Sequence, residues 1–341
     1  MKIPVMYPLL FLVTVLFITS CDPVPMEQVE FKTLADRDLL VSCEGQFQNA
    51  NGNITYINTD TDRTDLEAYT RYNSEPVGDV LQQLIQKDDK IFMLTNLPGS
   101  VKVLNTTDLQ RTTTINIAGN PKNGIIIGTE MWINDAFNGL HLMNLIDNSI
   151  ERIDSTGPTT ELAHYNDKVF VAHSGEFSAP DNKVYVYDTE TRERTQEIEI
   201  VDSPNSVAIS GDKLYVVGGV GFNEPIQIGS IDLIDLNVEV YSLPMSEISG
   251  FGPKIRASDG QLFLLADGLY TYDPNTHEVN KIFSEATSPY GLDIDELTGD
   301  IFVCDAVDYQ SQGTLYVLDQ NGNKKVSYKT GIVPNSVLRI K

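Results

Sequence analysis

SPYGLDIDELTGDIFVCDAVDYQSQGTLYVLD, residues Ser288–Asp319, decides the fold. A proline opens a strand with apolar alternation, a Gly-Asp turn leads into a second strand (IFV), and a polar loop leads into a third (LYVLD). That is most of one four-stranded antiparallel sheet. Working outward, the second-strand core recurs as LLVS at Leu39, IFML at Ile91, MWIN at Met131, VFVA at Val169, LYVV at Leu214, LFLL at Leu262 and IFVC at Ile301. Successive copies lie 52, 40, 38, 45, 48 and 39 residues apart. Four-stranded propeller blades repeat at roughly 40–50 residues, so the copies predict seven blades.

A third strand follows each core: ITYIN from Ile54, VKVLN from Val101, LHLMN from Leu140, VYVYD from Val184, IDLID from Ile231, LYTYD from Leu269 and LYVLD from Leu315. The apolar–polar alternation is that of half-buried strands. A terminal Asn or Asp starts each turn into strand four, because its short side chain can bond the backbone two residues on. Strand four is expected to be polar, as in TTTINI and TQEIEI, since charge on an outer edge discourages edge-to-edge pairing. The ring has a clasp. Pro204-Asn205-Ser206-Val207 opens an inner strand, and the same four residues recur at Pro334-Asn335-Ser336-Val337. Blade one starts at its second strand near Asp38, so residues 334–340 are expected to supply its inner strand and close the ring. The expected fold is therefore all-β, a seven-bladed β-propeller with four-stranded antiparallel blades. An open solenoid and a pair of β-sandwiches are the competing architectures.

Residues 1–20 carry one Lys, an apolar run and small residues, which reads as a secretory signal. Residues 21–37 read as a tether and 38–341 as the propeller. Ile18-Thr19-Ser20-Cys21 resembles the lipobox of bacterial lipoproteins, which implies acylation at Cys21 and anchoring through lipid alone. The formal charge of −24, from 48 Asp+Glu against 24 Lys+Arg, argues against nucleic acid as a partner. It fits a solvated surface, with steering of a cationic ligand as the sharper alternative. Cys43 and Cys304 sit at the ends of second strands in the first and last blades. The alignment sets Ser42, not Cys43, opposite Cys304, which argues against a disulfide.

Catalytic signatures are scarce: there is no HExxH, CxxC or GxSxG. His141, His164 and His277 read as structural. Asp60, Asp62 and Asp65 have the opening spacing of a calcium loop but lack its later ligands, and read as a polar turn. Trp132 is expected to pack between blades. No catalytic residue, cofactor or resident metal is assigned. The inner strands VLQQLI, NGIIIG, NSVAIS and YGLDID hold only Asp293 and Asp295 as acids, which speaks against a metal-dependent lactonase or lyase.

The loops say more. Second-to-third-strand loops and blade-to-blade connections emerge on one propeller face, and there they carry Phe47, Phe137, Phe177, Phe222, Phe251, Tyr290 and Tyr309. Aromatics gathered on one loop face, interspersed with polar side chains, mark a contact surface. The candidate ligand-binding residues are Phe47, Asn96, Asp135, Phe137, His173, Phe177, Phe222, Asn223, Tyr290 and Tyr309. Two loops are read as long and irregular, residues 173–181 and 218–229.

The lipobox, the seven blades and the last-blade run GDIFVCDAVDY…GTLYVLD resemble the YncE-like surface-lipoprotein propellers of Bacteroidetes, and within them the corrinoid-capturing, BtuG-like branch. The resemblance implies a non-enzymatic protein, lipid-anchored in the outer membrane and exposed at the cell surface. Such a protein binds a nutrient on its loop face and delivers it to a TonB-dependent outer-membrane transporter. The implied ligand is a corrinoid, with loop aromatics covering the macrocycle and Asn, Gln and Asp bonding its amides. His173 reads as a solvent-exposed loop residue with access to the cobalt as the sharper alternative. A scaffold or lid on the transporter, or capture of a siderophore or other ligand, are the alternatives.

Overall fold

The structure is a computed structural model; it describes residues 34–176, 179–219, 221, 224–250 and 252–341. The signal segment, most of the tether, Cys21, Phe177, Phe222, Asn223 and Phe251 lie outside the described residues.

Seven four-stranded antiparallel sheets form among the described residues. The inner strands are Asp79–Lys87, Pro121–Ile127, Thr159–Tyr165, Pro204–Ser210, Lys254–Ser258, Pro289–Ile294 and Pro334–Arg339. Each touches the next, and the seventh returns to the first, so the strands close a ring around one axis. The clasp forms as expected: Pro334–Arg339 pairs antiparallel with Leu39–Cys43, Val41 opposite Val337 and Ser42 opposite Ser336. The hydroxyls of Ser42 and Ser336 stand 2.8 Å apart across that pairing. Closure by this pairing removes the edge that blade one would otherwise expose.

Every predicted second strand forms, and its apolar residues are the cores between blades. Trp132 of blade three is fully buried against Leu162, Val169, Tyr185 and Tyr187 of blade four. Cys43 and Cys304 share one core cluster as free thiols. The turn rule holds in five blades: Asn144, Asp188, Asp273 and Asp319, and in blade five Asp232, which ends the strand in place of Asp235, each accept a backbone N–H two residues on, at 2.8–2.9 Å. Gly291 shows how tightly the inner strands abut, because a Cβ there would lie 2.0 Å from the carbonyl oxygen of Asn335. Only glycine permits that approach.

Two expectations need correction, and one element was not foreseen. The third strand of blade five is Gln227–Asp232, three residues earlier than IDLID; alternation runs on past the turn and leaves Ile234 77% exposed. Residues 173–181 are not an irregular loop, since Lys168–Glu176 and Ala179–Asp188 extend as a hairpin with His173 opposite Lys183. The 52-residue spacing hides a helix, Ala68–Asn73, between blades one and two. Its Ala68 and Tyr69 are buried. Asn73 fixes it by donating to the Leu109 carbonyl (3.0 Å) and accepting from Arg111 N–H (2.7 Å). Its end is capped by Ser74 in the left-handed region (φ 54°).

Candidate functional site

Six of the seven inner strands begin irregularly. Register shifts leave Gln82, Lys122 and Asn123, Thr160 and Glu161, Asn205, Tyr290 and Asn335 unpaired at the loop-face end of their strands. A bulge turns the extra residue out of the ladder and re-aims its side chain. All of these residues line one cavity of about 660 Å³ at the mouth of the central channel. Proline sets the pattern. Lys122, Asn205, Lys254, Tyr290 and Asn335 each follow a Pro directly, where a missing N–H is tolerated at the start of a strand.

The wall is charged, and its acids are held by named partners. Glu161 receives Arg256 Nη2 at 2.8 Å on one oxygen, and the Ser206 hydroxyl (2.6 Å) and Val207 N–H (2.8 Å) on the other. Burial opposes its ionisation, but those partners outweigh it and hold the carboxyl below its ordinary value. Asp293 accepts the Val337 N–H at 2.8 Å and lies 3.6 Å from Arg256 Nε. Burial nevertheless pushes it up. Glu44, from the end of the second strand of blade one, accepts the Tyr290 hydroxyl (3.1 Å) and Gln82 Nε2 (3.2 Å). Burial raises its carboxyl to about 7, against the pull of Lys254, Tyr290, Lys122 and Gln82. Lys254 donates to Asn335 Oδ1 at 2.9 Å and stands 5.5 Å over the Tyr290 ring.

Above this wall two tyrosines form the lip. Tyr290 and Tyr309 meet edge to face, centroids 5.7 Å apart and planes at 87°. Tyr309 is 48% exposed and holds a left-handed backbone (φ 61°). Bulky residues rarely adopt that conformation, and such strain concentrates at binding sites.

Of the sequence candidates, Tyr290 and Tyr309 meet at the cavity. Phe47 (69% exposed) and Phe137 (66% exposed) project from other loops of the same face without lining it. Asn96 accepts from Asn120 at 3.3 Å, within a loop-to-loop contact. Asp135 is fully buried and accepts the N–H groups of Asn120, Phe137 and Asn138 at 2.7–2.8 Å, with His141 Nε2 at 3.2 Å. It organises its loop from within. Asp305 does the same for blade seven, taking Thr287, Ser288 and Val307 N–H at 2.8–2.9 Å. His173 is buried rather than solvent-exposed: Nε2 lies 2.6 Å from the Thr156 carbonyl and Nδ1 2.9 Å from Asp181.

The reading of the inner strands as nearly free of acids also needs correction. Glu161 belongs to the inner strand of blade four and Glu44 reaches the same space, whereas Asp295 is buried outside the cavity against Arg339 (2.5 Å). The calcium-like run is spent on structure: Asp65 pairs with Arg71 at 2.7 Å, and Asp62 accepts the Tyr328 hydroxyl at 2.8 Å. Among the described residues no group of three or more His, Cys, Asp or Glu is placed to hold a metal.

Fold and site together define a seven-bladed β-propeller with a polar, ligand-sized cavity in its channel mouth. Residues 38–332 match the model of DUF5074, a domain of unknown function, and the chain belongs to that family. No curated protein matches the chain. It is similar in structure to a quinonprotein alcohol dehydrogenase-like protein from Bacteroides thetaiotaomicron, with TM-score 0.68 and 15% identity over 89% of this chain and 78% of that one. A protein from Lactobacillus plantarum gives TM-score 0.66 and 14% identity over 90% of this chain and all of the other. BamB from Moraxella catarrhalis gives 0.55 and 14% over 89% and 86%. At these identities the likeness concerns the fold alone.

Proposed function

We propose that this protein is a non-enzymatic capture lipoprotein. It holds a small nutrient, in our reading a corrinoid, at the channel mouth and delivers it to a TonB-dependent outer-membrane transporter. Cys21 would carry the lipid that keeps it on the outer membrane.

The observation that carries the reading is the Tyr290–Tyr309 lip above a wall of carboxamides from Gln82, Gln83, Asn123, Asn205 and Asn335. Carboxamides donate and accept at once, so they match the peripheral amides of a corrinoid. The aromatic edge supplies apolar area beside them. A cavity of about 660 Å³ lies within the usual range of small-molecule sites. A corrinoid exceeds a drug-sized ligand, so part of it would enter and the rest would lie across Tyr309. Phe47 and Phe137, exposed on the same face, are left for the transporter.

The test is gel filtration of the lipid-free protein with cyanocobalamin, read by the ligand's own visible absorbance. Colour should travel with the protein at micromolar concentration. Removing the Tyr309 ring by Tyr309→Ala should weaken binding roughly three- to tenfold. Colour that stays in the small-molecule fraction refutes the corrinoid reading.

A further inference from the structure

The cavity is lined by three cations, Lys122, Lys254 and Arg256, and by four carboxylates, Glu44, Glu161, Asp267 and Asp293. Asp267 is taken by Lys281 (2.9 Å) and the Tyr270 hydroxyl, and the other three acids are not paired one to one with the cations. Arg256 takes both Glu161 and Asp293. The remaining oxygens of those acids are turned to Ser206, Val207 and Val337, and Glu44 is turned to Tyr290 and Gln82. Neither lysine has a carboxylate within 4.0 Å among the described residues. Lys254 uses one donor on Asn335. Lys122 donates to no protein group among the described residues, although it sits on a bulge that aims it into the cavity.

We infer that Lys122 and Lys254 form a binding site for an anionic oxygen group, a carboxylate or phosphate, on the molecule that enters the channel mouth. The inference rests on the capture reading only in placing a ligand there. An ammonium is a compact point charge with several rotatable donors and no acceptor, so it suits such a group without dictating its plane. Arg256, the guanidinium that would favour bidentate recognition, is already spent on the wall. Removal from water lowers both lysines, helped by repulsion from Lys254 in the case of Lys122 and from Arg256 in the case of Lys254. A bound anion would relieve both. The arrangement also resolves a conflict in the molecule's charge. With a net −24 on the whole chain, anions are repelled from the surface at long range, and only a site with unneutralised cations can retain one.

The experiment measures thermal stabilisation and calorimetric binding with inorganic phosphate, against sodium chloride at matched ionic strength to remove screening. Acetate and citrate in parallel separate a phosphate site from a carboxylate site. Wild type should bind at least one of these anions saturably. Lys122→Met and Lys254→Met should each weaken that binding roughly ten- to hundredfold, the usual range for one charge-assisted hydrogen bond. Lys122→Arg should restore part of it, and Lys324→Met, remote from the cavity, should change nothing. If Lys122→Met fails to fold, Lys254→Met decides alone. The inference is overturned if no anion stabilises beyond chloride, or if the two Met variants bind like wild type. Corrinoid co-elution without an anion effect would remove this inference and leave the capture reading. Anion binding without co-elution would do the reverse.

Discussion

Replacing Glu44 by Gln should make the protein's stability less sensitive to alkali. The carboxyl is buried at the mouth of the channel, and burial raises it from 4.5 to about 7. An acid raised on folding favours the native state while protonated. Its contribution is fully present below pH 4.5 and is lost as pH rises through 7. A gap of 2.5 units at 1.36 kcal/mol each corresponds to about 3 kcal/mol. Gln is the neutral analogue of the protonated acid, and its oxygen can still accept from Tyr290 and Gln82, the present partners at 3.1 and 3.2 Å. Urea denaturation at pH 5 and pH 8.5 makes the comparison. At pH 5 the variant should lie within about 1 kcal/mol of wild type, whereas at pH 8.5 it should be the more stable by about 3 kcal/mol. Asp293 is also raised by burial, so both proteins should lose some stability towards alkali; the difference between them belongs to Glu44. Parallel pH curves would refute the argument, as would a variant weaker than wild type at pH 8.5. Either result would mean that Glu44 is ionised in the folded protein and that Lys254 and Lys122 outweigh its burial.

Asp135 should behave oppositely. Burial works against its charge, but His141 and the N–H groups of Phe137, Asn120 and Asn138 bring it down to about 2, so its contribution is present above pH 3.8 and fades as pH falls through 2. Asp135→Asn turns an amide against those donors and should cost roughly 2–4 kcal/mol at pH 7; an unchanged urea midpoint would contradict that role. Cys43, raised to about 11 chiefly by burial, and Cys304, raised well above its ordinary value by burial, should resist Ellman's reagent at pH 8 in protein produced from Asp22 onward. Both should react in denaturant, and reaction of either in the native state would be inconsistent with the blade-one/blade-seven core. Deleting residues 334–341 should abolish cooperative unfolding and expose apolar surface to a dye such as ANS, because the strand Leu39–Cys43 loses its inner partner. A sharp transition in the truncated protein would show that the ring closes otherwise.

The blades were legible because second strands, and most third strands, are buried on both faces, and both survive in the sequence as short apolar runs. The clasp was legible because the same tetrapeptide had to open two equivalent strands. Blade five was set three residues late because Ile231, Leu233 and an exposed Ile234 continue the alternation beyond the strand. The helix at Ala68–Asn73 left only an overlong spacing. Loop control by Asp135 and Asp305 did leave a signal: Asp135-Ala136-Phe137-Asn138 and Asp305-Ala306-Val307-Asp308 occupy equivalent places, and in both the first residue gathers backbone N–H groups.

The cavity wall was hidden for a structural reason. Alternation assigns residues to faces only while a strand stays in register, and part of the wall, with Lys122 and Glu161, is made where inner strands lose register. Lys122 and Glu161 therefore look like arbitrary polar positions in a period-two reading, and the axis looks nearly uncharged. A proline at the start of an inner strand was the better guide, since the residue after it lines the cavity in five blades. That changes how the acidic composition bears on function. A net −24 by itself points to cationic ligands. Yet the cavity is lined by three cations and four acids, the acids are committed to protein partners, and Lys122 and Lys254 are, in our proposal, left to the ligand. Composition describes the surface seen from a Debye length away; a molecule in the channel mouth would meet only the few groups that line it.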